Sequence, residues 1–126
     1  MAGTSLRQTL HAGNYTHEHG RLAMHTLLDR NDRLDGVFCG DDVLALGAID
    51  ACRERGVDVP GEVSIVGFDD MPLAAWASYS LATVKQPIRD MVLHAIERIV
   101  AWMDEPDAVP RSKLFPCELV VRGSLR

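Results

Sequence analysis

Apolar residues along this chain alternate between a helical rhythm and short continuous runs. Ala23, Met24, Leu27 and Leu28 share one helical face, predicting a helix over about 17–30 that follows Thr16 and closes at Asn31-Asp32-Arg33. Asp35 to Cys39 reads as a short apolar strand of the kind covered on both faces in a parallel sheet. Val43, Leu44, Leu46, Ile49 and Ala51 predict a second helix, capped by Asp41 or Asp42 and stopped at Gly56. Pro60-Gly61 makes a turn, and Val63 to Val66 a second buried strand, ended by Gly67-Phe68-Asp69-Asp70. Met71 to Ala82 has no clean period and is expected to run along the surface. Leu81 to Lys85 reads as a third strand, and Gln86-Pro87 opens a long helix with an apolar stripe of Ile88, Met91, Val92, Ala95, Ile96, Ile99, Val100 and Met103. Glu105-Pro106 ends that helix, Phe115 to Val121 forms a last strand, and Arg122 to Arg126 a tail. At the other end, residues 1–13 alternate weakly into a turn at Ala12-Gly13-Asn14 and read as an opening strand. Strands and helices in this order, joined by short loops, predict an α/β fold with an open parallel sheet flanked by helices.

Composition narrows the function more than the fold. With 126 residues, 47% of them hydrophobic, the chain suits one domain rather than two. Thirteen basic against eighteen acidic residues leave a net charge of −5 and no basic stripe, so these residues are not expected to touch nucleic acid. No apolar run approaches the ~20 residues of a membrane span, and Met1 to Leu6 carries no signal-peptide core. Cys39, Cys52 and Cys117 form neither a CxxC pair nor a disulfide framework, which favours a reducing compartment.

Candidate chemistry gathers at predicted strand ends. Asp41-Asp42 and Asp69-Asp70 follow successive strands, where ligands bind in open α/β sheets. Carboxylates there can accept from sugar hydroxyls, hold Mg²⁺ or serve in acid–base work, while helix capping and turn closure compete as explanations. Capping suits Asp42 best and Asp69 least. Tyr15, after a Gly-Asn turn, is either a ring that stacks on a sugar or base or a half-buried loop aromatic; Gln86 is either a ligand contact or solvated polarity. His17 and His19 lie two apart, His11, His25 and His94 are scattered, and no HExxH or HxxxH spacing exists, so no metal site is expected. Ser64, Ser78, Ser80 and Ser124 lack a nucleophile elbow, and no Gly-rich phosphate loop is present; no catalytic residue is assigned.

The run from Asp35 to Ile49 (DGVFCGDDVLALGAI) resembles the LacI/GalR family of bacterial transcription regulators, as does Arg55 to Asp70 (RGVDVPGEVSIVGFDD). Thr83 to Pro87 (TVKQP), Glu118 to Ser124 (ELVVRGS) and the turn Gly13 to Gly20 continue the likeness in order over residues 13–124. The resemblance implies one incomplete lobe of a periplasmic-binding-protein-like (type I) effector domain. Residues 1–82 would be mainly the C-terminal lobe, 83–110 a crossover strand and a long helix normally belonging to the other lobe, and 111–126 a return strand and tail. It further implies a small-molecule effector of the sugar or polyol kind, with Tyr15 stacking on it, Asp69 gripping hydroxyls, Gln86 a polar contact, and Asp41 in place of the family's usual Asn. Ser80 and Ala82 stand where Pro and Thr are more usual. Dimerisation would involve Trp76, Ala77 and Leu46, although Leu46 could equally point into its own core. DNA would be bound only through a helix-turn-helix absent from these residues, in a cytoplasmic, non-enzymatic protein without a cofactor. The rival readings are a sugar-binding protein of a transport system and an Mg-dependent α/β enzyme built on Asp41, Asp42, Asp69 and Asp70.

Overall fold

A computed structural model describes residues 8–126. Helix α1 (His17–Arg30) is capped by Thr16, whose hydroxyl accepts from the His19 amide. Strand β1 (Gly36–Phe38) leads into helix α2 (Asp42–Glu54), and strand β2 (Ser64–Phe68) into a short 3-10 turn at Pro72–Ala75. Strand β3 (Ala82–Lys85), helix α3 (Ile88–Asp104) and strand β4 (Glu118–Val120) complete the order. No strand occurs at residues 8–12; the rest of the expected opening strand lies outside the described residues.

The sheet order is β1-β2-β3-β4, with the first three strands parallel and β4 antiparallel to β3. The open α/β class is as expected, but the sheet is mixed, because the chain returns from α3 to pair β4 against the outer edge of β3. Residues alternate across the strands. Ile65, Gly67 and Thr83 lie on the side that meets α2, whose Ala45, Leu46, Ala48, Ile49, Ala51 and Cys52 are buried. Phe38 and Phe68 stand on the other side, edge to face at 6.3 Å, and Phe38 is 64% exposed. The expectation that β1 is covered on both faces therefore fails: it is an edge strand with helical cover on one side only.

Helix α1 packs on α2 rather than on the sheet. Glycines let the two backbones approach: a Cβ at Gly47 would sit 2.0 Å from the His17 carbonyl oxygen, and one at Gly20 2.2 Å from that of Leu44. The C-terminal tail is sewn into the sheet. The buried Ser124 hydroxyl donates to the Ile65 carbonyl at 2.6 Å and accepts from the Ala82 amide at 2.8 Å. By contrast, α3 has no buried residue and is docked on none of the other helices.

Candidate functional site

Because β1, β2 and β3 are parallel, their carboxyl ends share one edge of the sheet, and the chain leaves each strand carrying polar side chains. Asp41 follows β1, Asp69 directly follows β2, and Gln86 directly follows β3. The Gln86 amide donates to Asp69 Oδ1 at 2.5 Å, so two of the four ligand candidates are in direct contact. Asp69 has φ 108° and Asp70 φ 53°, a left-handed run that is uncommon outside glycine, although Asp tolerates it better than most residues. Its backbone is held by a bond from the Asp69 amide to the Val84 carbonyl at 2.9 Å. The Asp69 side chain itself remains exposed.

Tyr15 is 70% exposed, with its ring edge 3.6 Å from where a Cβ would stand on Gly40. The ring thus lies beside the β1 exit, next in sequence to Asp41. Asp41 caps α2, its Oδ1 accepting from the Leu44 amide at 2.7 Å. This reverses the expectation that Asp42 is the better cap. Asp42 is fully buried at the first position of α2 and reaches under the sheet end. Its Oδ1 accepts from the Thr83 hydroxyl at 2.5 Å and its Oδ2 from the Met71 amide at 2.7 Å. Burial pushes its pKa above the usual carboxylate value, against those two hydrogen bonds, and the nearby Asp69 and Asp70 add to the rise.

Asp70 turns away from the edge. Its carboxylate accepts from Arg122 at 2.7 Å and lies 3.9 Å from Lys85. The acidic quartet therefore has four separate employments: a cap, a buried anchor, an exposed carboxylate bound to Gln86, and an ion pair. Among the described residues no cluster of three or more His, Cys, Asp and Glu is arranged to hold a metal ion. The histidines serve locally instead: His17 Nε2 lies 2.8 Å from Asp50, and His25 Nε2 2.7 Å from Glu54. Cys39 is buried, and its thiol is pushed up to about 12, chiefly by burial, so it packs rather than reacts.

Arrangement and ancestry now converge. The profile of the "Periplasmic binding protein-like domain" matches residues 1–125. A HTH-type transcriptional regulator from the aml 5′ region of Streptomyces limosus is 40% identical over 124 residues, covering 98% of this chain and 34% of that protein. The repressor CytR of Escherichia coli K12 is 36% identical over 119 residues, covering 94% of this chain and 35% of CytR. The transcriptional regulator CelR, solved as a cellobiose complex, superposes with TM-score 0.80 at 32% identity, over 89% of this chain and 34% of CelR. The chain belongs to the LacI/GalR family. It spans about a third of the length of these relatives and corresponds to part of the family's effector domain.

Of the three residues expected at a dimer face, the structure sets Leu46 apart from Trp76 and Ala77. Leu46 is only 6% exposed and packs in the chain's own core, where α2 presses on the sheet. Trp76 is 58% exposed and Ala77 is exposed beside it. Their loop is pinned to α2: Tyr79 donates to Asp50 at 2.9 Å, Arg53 donates to the Ser78 carbonyl, and the Arg53 guanidinium lies 4.9 Å over the Tyr79 ring. Burial raises the Asp50 pKa, but bonds from His17, Tyr79 and Arg53 outweigh it and hold the carboxyl below the usual range. Sequence reasoning missed Thr83 and Arg122 as supports of the site. Neither has a local signal, since each acts on residues far away in the chain.

Proposed function

We propose that this chain is the C-terminal part of the effector-binding domain of a LacI-type transcription regulator, in which residues 1–82 form most of one lobe. Residues 83–110 are the crossover strand and the helix that belongs with the other lobe, and 111–126 are the return strand and tail. The reading rests on one observation above all: Asp69 offers an exposed carboxylate at the carboxyl edge of a parallel sheet, held in place by Gln86. Such a carboxylate accepts from vicinal hydroxyls, and the Tyr15 ring supplies an apolar face nearby, which suits a sugar or polyol. Asp41 keeps one oxygen beyond its capping bond for the same ligand. CelR, the relative solved with cellobiose, supports a carbohydrate class.

The mechanism is differential binding. A ligand that prefers one arrangement of two lobes shifts the population toward it, and the shift reaches attached DNA-binding heads. Trp76 and Ala77 are assigned to a homodimer contact. DNA contact is assigned to a helix-turn-helix outside these acidic 126 residues. No helix among the described residues is long and apolar enough to cross a membrane, and a cytoplasmic, non-catalytic regulator is the setting that the relatives support.

The test is a titration of cellobiose and a panel of monosaccharides and polyols, followed by amide NMR. Half a cleft is expected to bind at about millimolar strength, roughly 4 kcal/mol. At least one sugar should shift the resonances around Tyr15, Asp69 and Gln86, and Asp69→Ala should abolish those shifts while the chain stays folded. Shifts that persist in Asp69→Ala would sink the assignment, as would a panel that leaves this edge unperturbed.

A further inference from the structure

The left-handed run at Asp69 and Asp70 contains no glycine, and although Asp tolerates a positive φ better than most residues, two in succession need a hold from outside the run. That hold lies on another element. The Met71 amide donates to Asp42 Oδ2 at 2.7 Å. The Asp70 amide donates to the Thr83 hydroxyl at 3.3 Å, and that hydroxyl donates onward to Asp42 Oδ1 at 2.5 Å. Both amides that follow Asp69 therefore end, directly or through one hydroxyl, on the same buried carboxylate. Gly67 makes room for it: a Cβ there would stand 2.3 Å from Asp42 Oδ1. Asp42 and Thr83 are each 0% exposed, so water cannot replace these bonds without opening the sheet end.

We infer that Asp42 is a positioning residue for the candidate ligand carboxylate, fixing through Thr83 and the Met71 amide the backbone that aims Asp69 across the carboxyl edge. Its value for ligand binding rests on the reading of Asp69 given above; its hold on the loop does not. Asp41, one residue earlier, takes the other part: its Oδ1 caps α2 by accepting from the Leu44 amide, and it makes no bond to the loop after β2. The pair therefore divides the labour: the first Asp starts the helix and the second reaches from that helix to the neighbouring loop.

Amide hydrogen exchange on the chain tests this without any ligand. Asp42→Ala should speed exchange at Asp70 and Met71 by roughly 10-fold or more beyond any change at Ile65 and Val66 in β2. Asp42→Asn should restore most of the protection, since its carbonyl can accept from Met71 while its amide donates to Thr83 Oγ1. Thr83→Val, nearly the same shape, should free Asp70 alone and leave Met71 protected, which keeps the test open if Asp42→Ala does not fold. Uniform loosening of β2 and the loop in Asp42→Ala, or an unchanged Asp70 in Thr83→Val, would overturn the inference. A sugar panel that shifts nothing would remove the ligand reading yet leave this exchange pattern standing.

Discussion

Asp42 and Asp50 sit two turns apart on α2, yet their surroundings push them in opposite directions. Burial raises Asp42. Asp50 is pulled down, because bonds from His17, Tyr79 and Arg53 exceed its own burial penalty. The linkage signs follow. With its folded pKa above the unfolded value, Asp42 contributes most below about pH 3.9, and that contribution is lost as pH rises through the raised value. Asp50, with its folded pKa depressed, contributes above the unfolded value and loses that as pH falls through the lowered one. Melting curves between pH 3.5 and 7.5 should therefore separate two variants. The midpoint of Asp42→Asn should improve relative to wild type as pH rises, while Asp50→Asn should fall progressively further behind. About 1 kcal/mol moves the midpoint of a domain this size by roughly 3–6 °C, so the divergence is measurable. Parallel gaps at every pH would contradict the assignment of both environments.

At the scale of elements, the contact of α1 with α2 depends on the absence of side chains. Gly20 and Gly47 face the other helix's backbone at distances no Cβ tolerates. Gly56 differs: it ends α2 at φ 68° with open space around it. Gly47→Ala must push His17 and Arg21 away and should cost about 1–3 kcal/mol or more by overpacking. Gly56→Ala meets only a left-handed backbone and should cost about 1 kcal/mol. Urea melts of the two variants should keep that order; the reverse order would mean that α1 and α2 separate at little cost. Moving α1 would also disturb the site, since Tyr15 immediately precedes its Thr16 cap.

At the scale of the whole molecule, the exposed surface is 8,745 Å², whereas a compact monomer of this mass shows about 6,700 Å². Helix α3 and the segment after it contribute to the excess. Ile88, Val92, Ile96, Ile99 and Val100 are each more than half exposed, an apolar stripe with no cover among the described residues. The segment that follows it makes contact: Trp102 donates to the Pro106 carbonyl at 2.9 Å, and His94 meets Phe115 edge to face at 5.7 Å. Amides of α3 should thus exchange roughly 100-fold faster than those of α2 when the chain is dilute. Ile96→Glu should reduce binding of an apolar dye without lowering the melting midpoint of the α1–α2–sheet core. Equal protection of α2 and α3 in a monomer, shown by sedimentation, would mean that the stripe is covered in solution.

Local pattern alone determined most elements. The periodic runs place α1, α2 and α3 within a residue or two of their observed ends, because helix faces and caps are decided by neighbours three and four positions apart. The motif likeness likewise reached the family, and it singled out Asp69 and Gln86, which the fold brings into contact. Tertiary structure decided the rest. Local pattern ranks Asp42 as the better cap, yet both are carboxylates at a helix start, and the Thr83 hydroxyl, forty-one positions away, makes Asp42 the anchor while Asp41 takes the cap. Nor does an apolar triplet such as Gly36–Phe38 reveal whether a second layer covers it, and here Phe38 faces out. Leu46 falls on the same helical face in either of its two readings, and burial against the sheet settles that it packs inward. Short-range periodicity follows from backbone geometry, whereas which polar group meets which depends on contacts between residues distant in the chain.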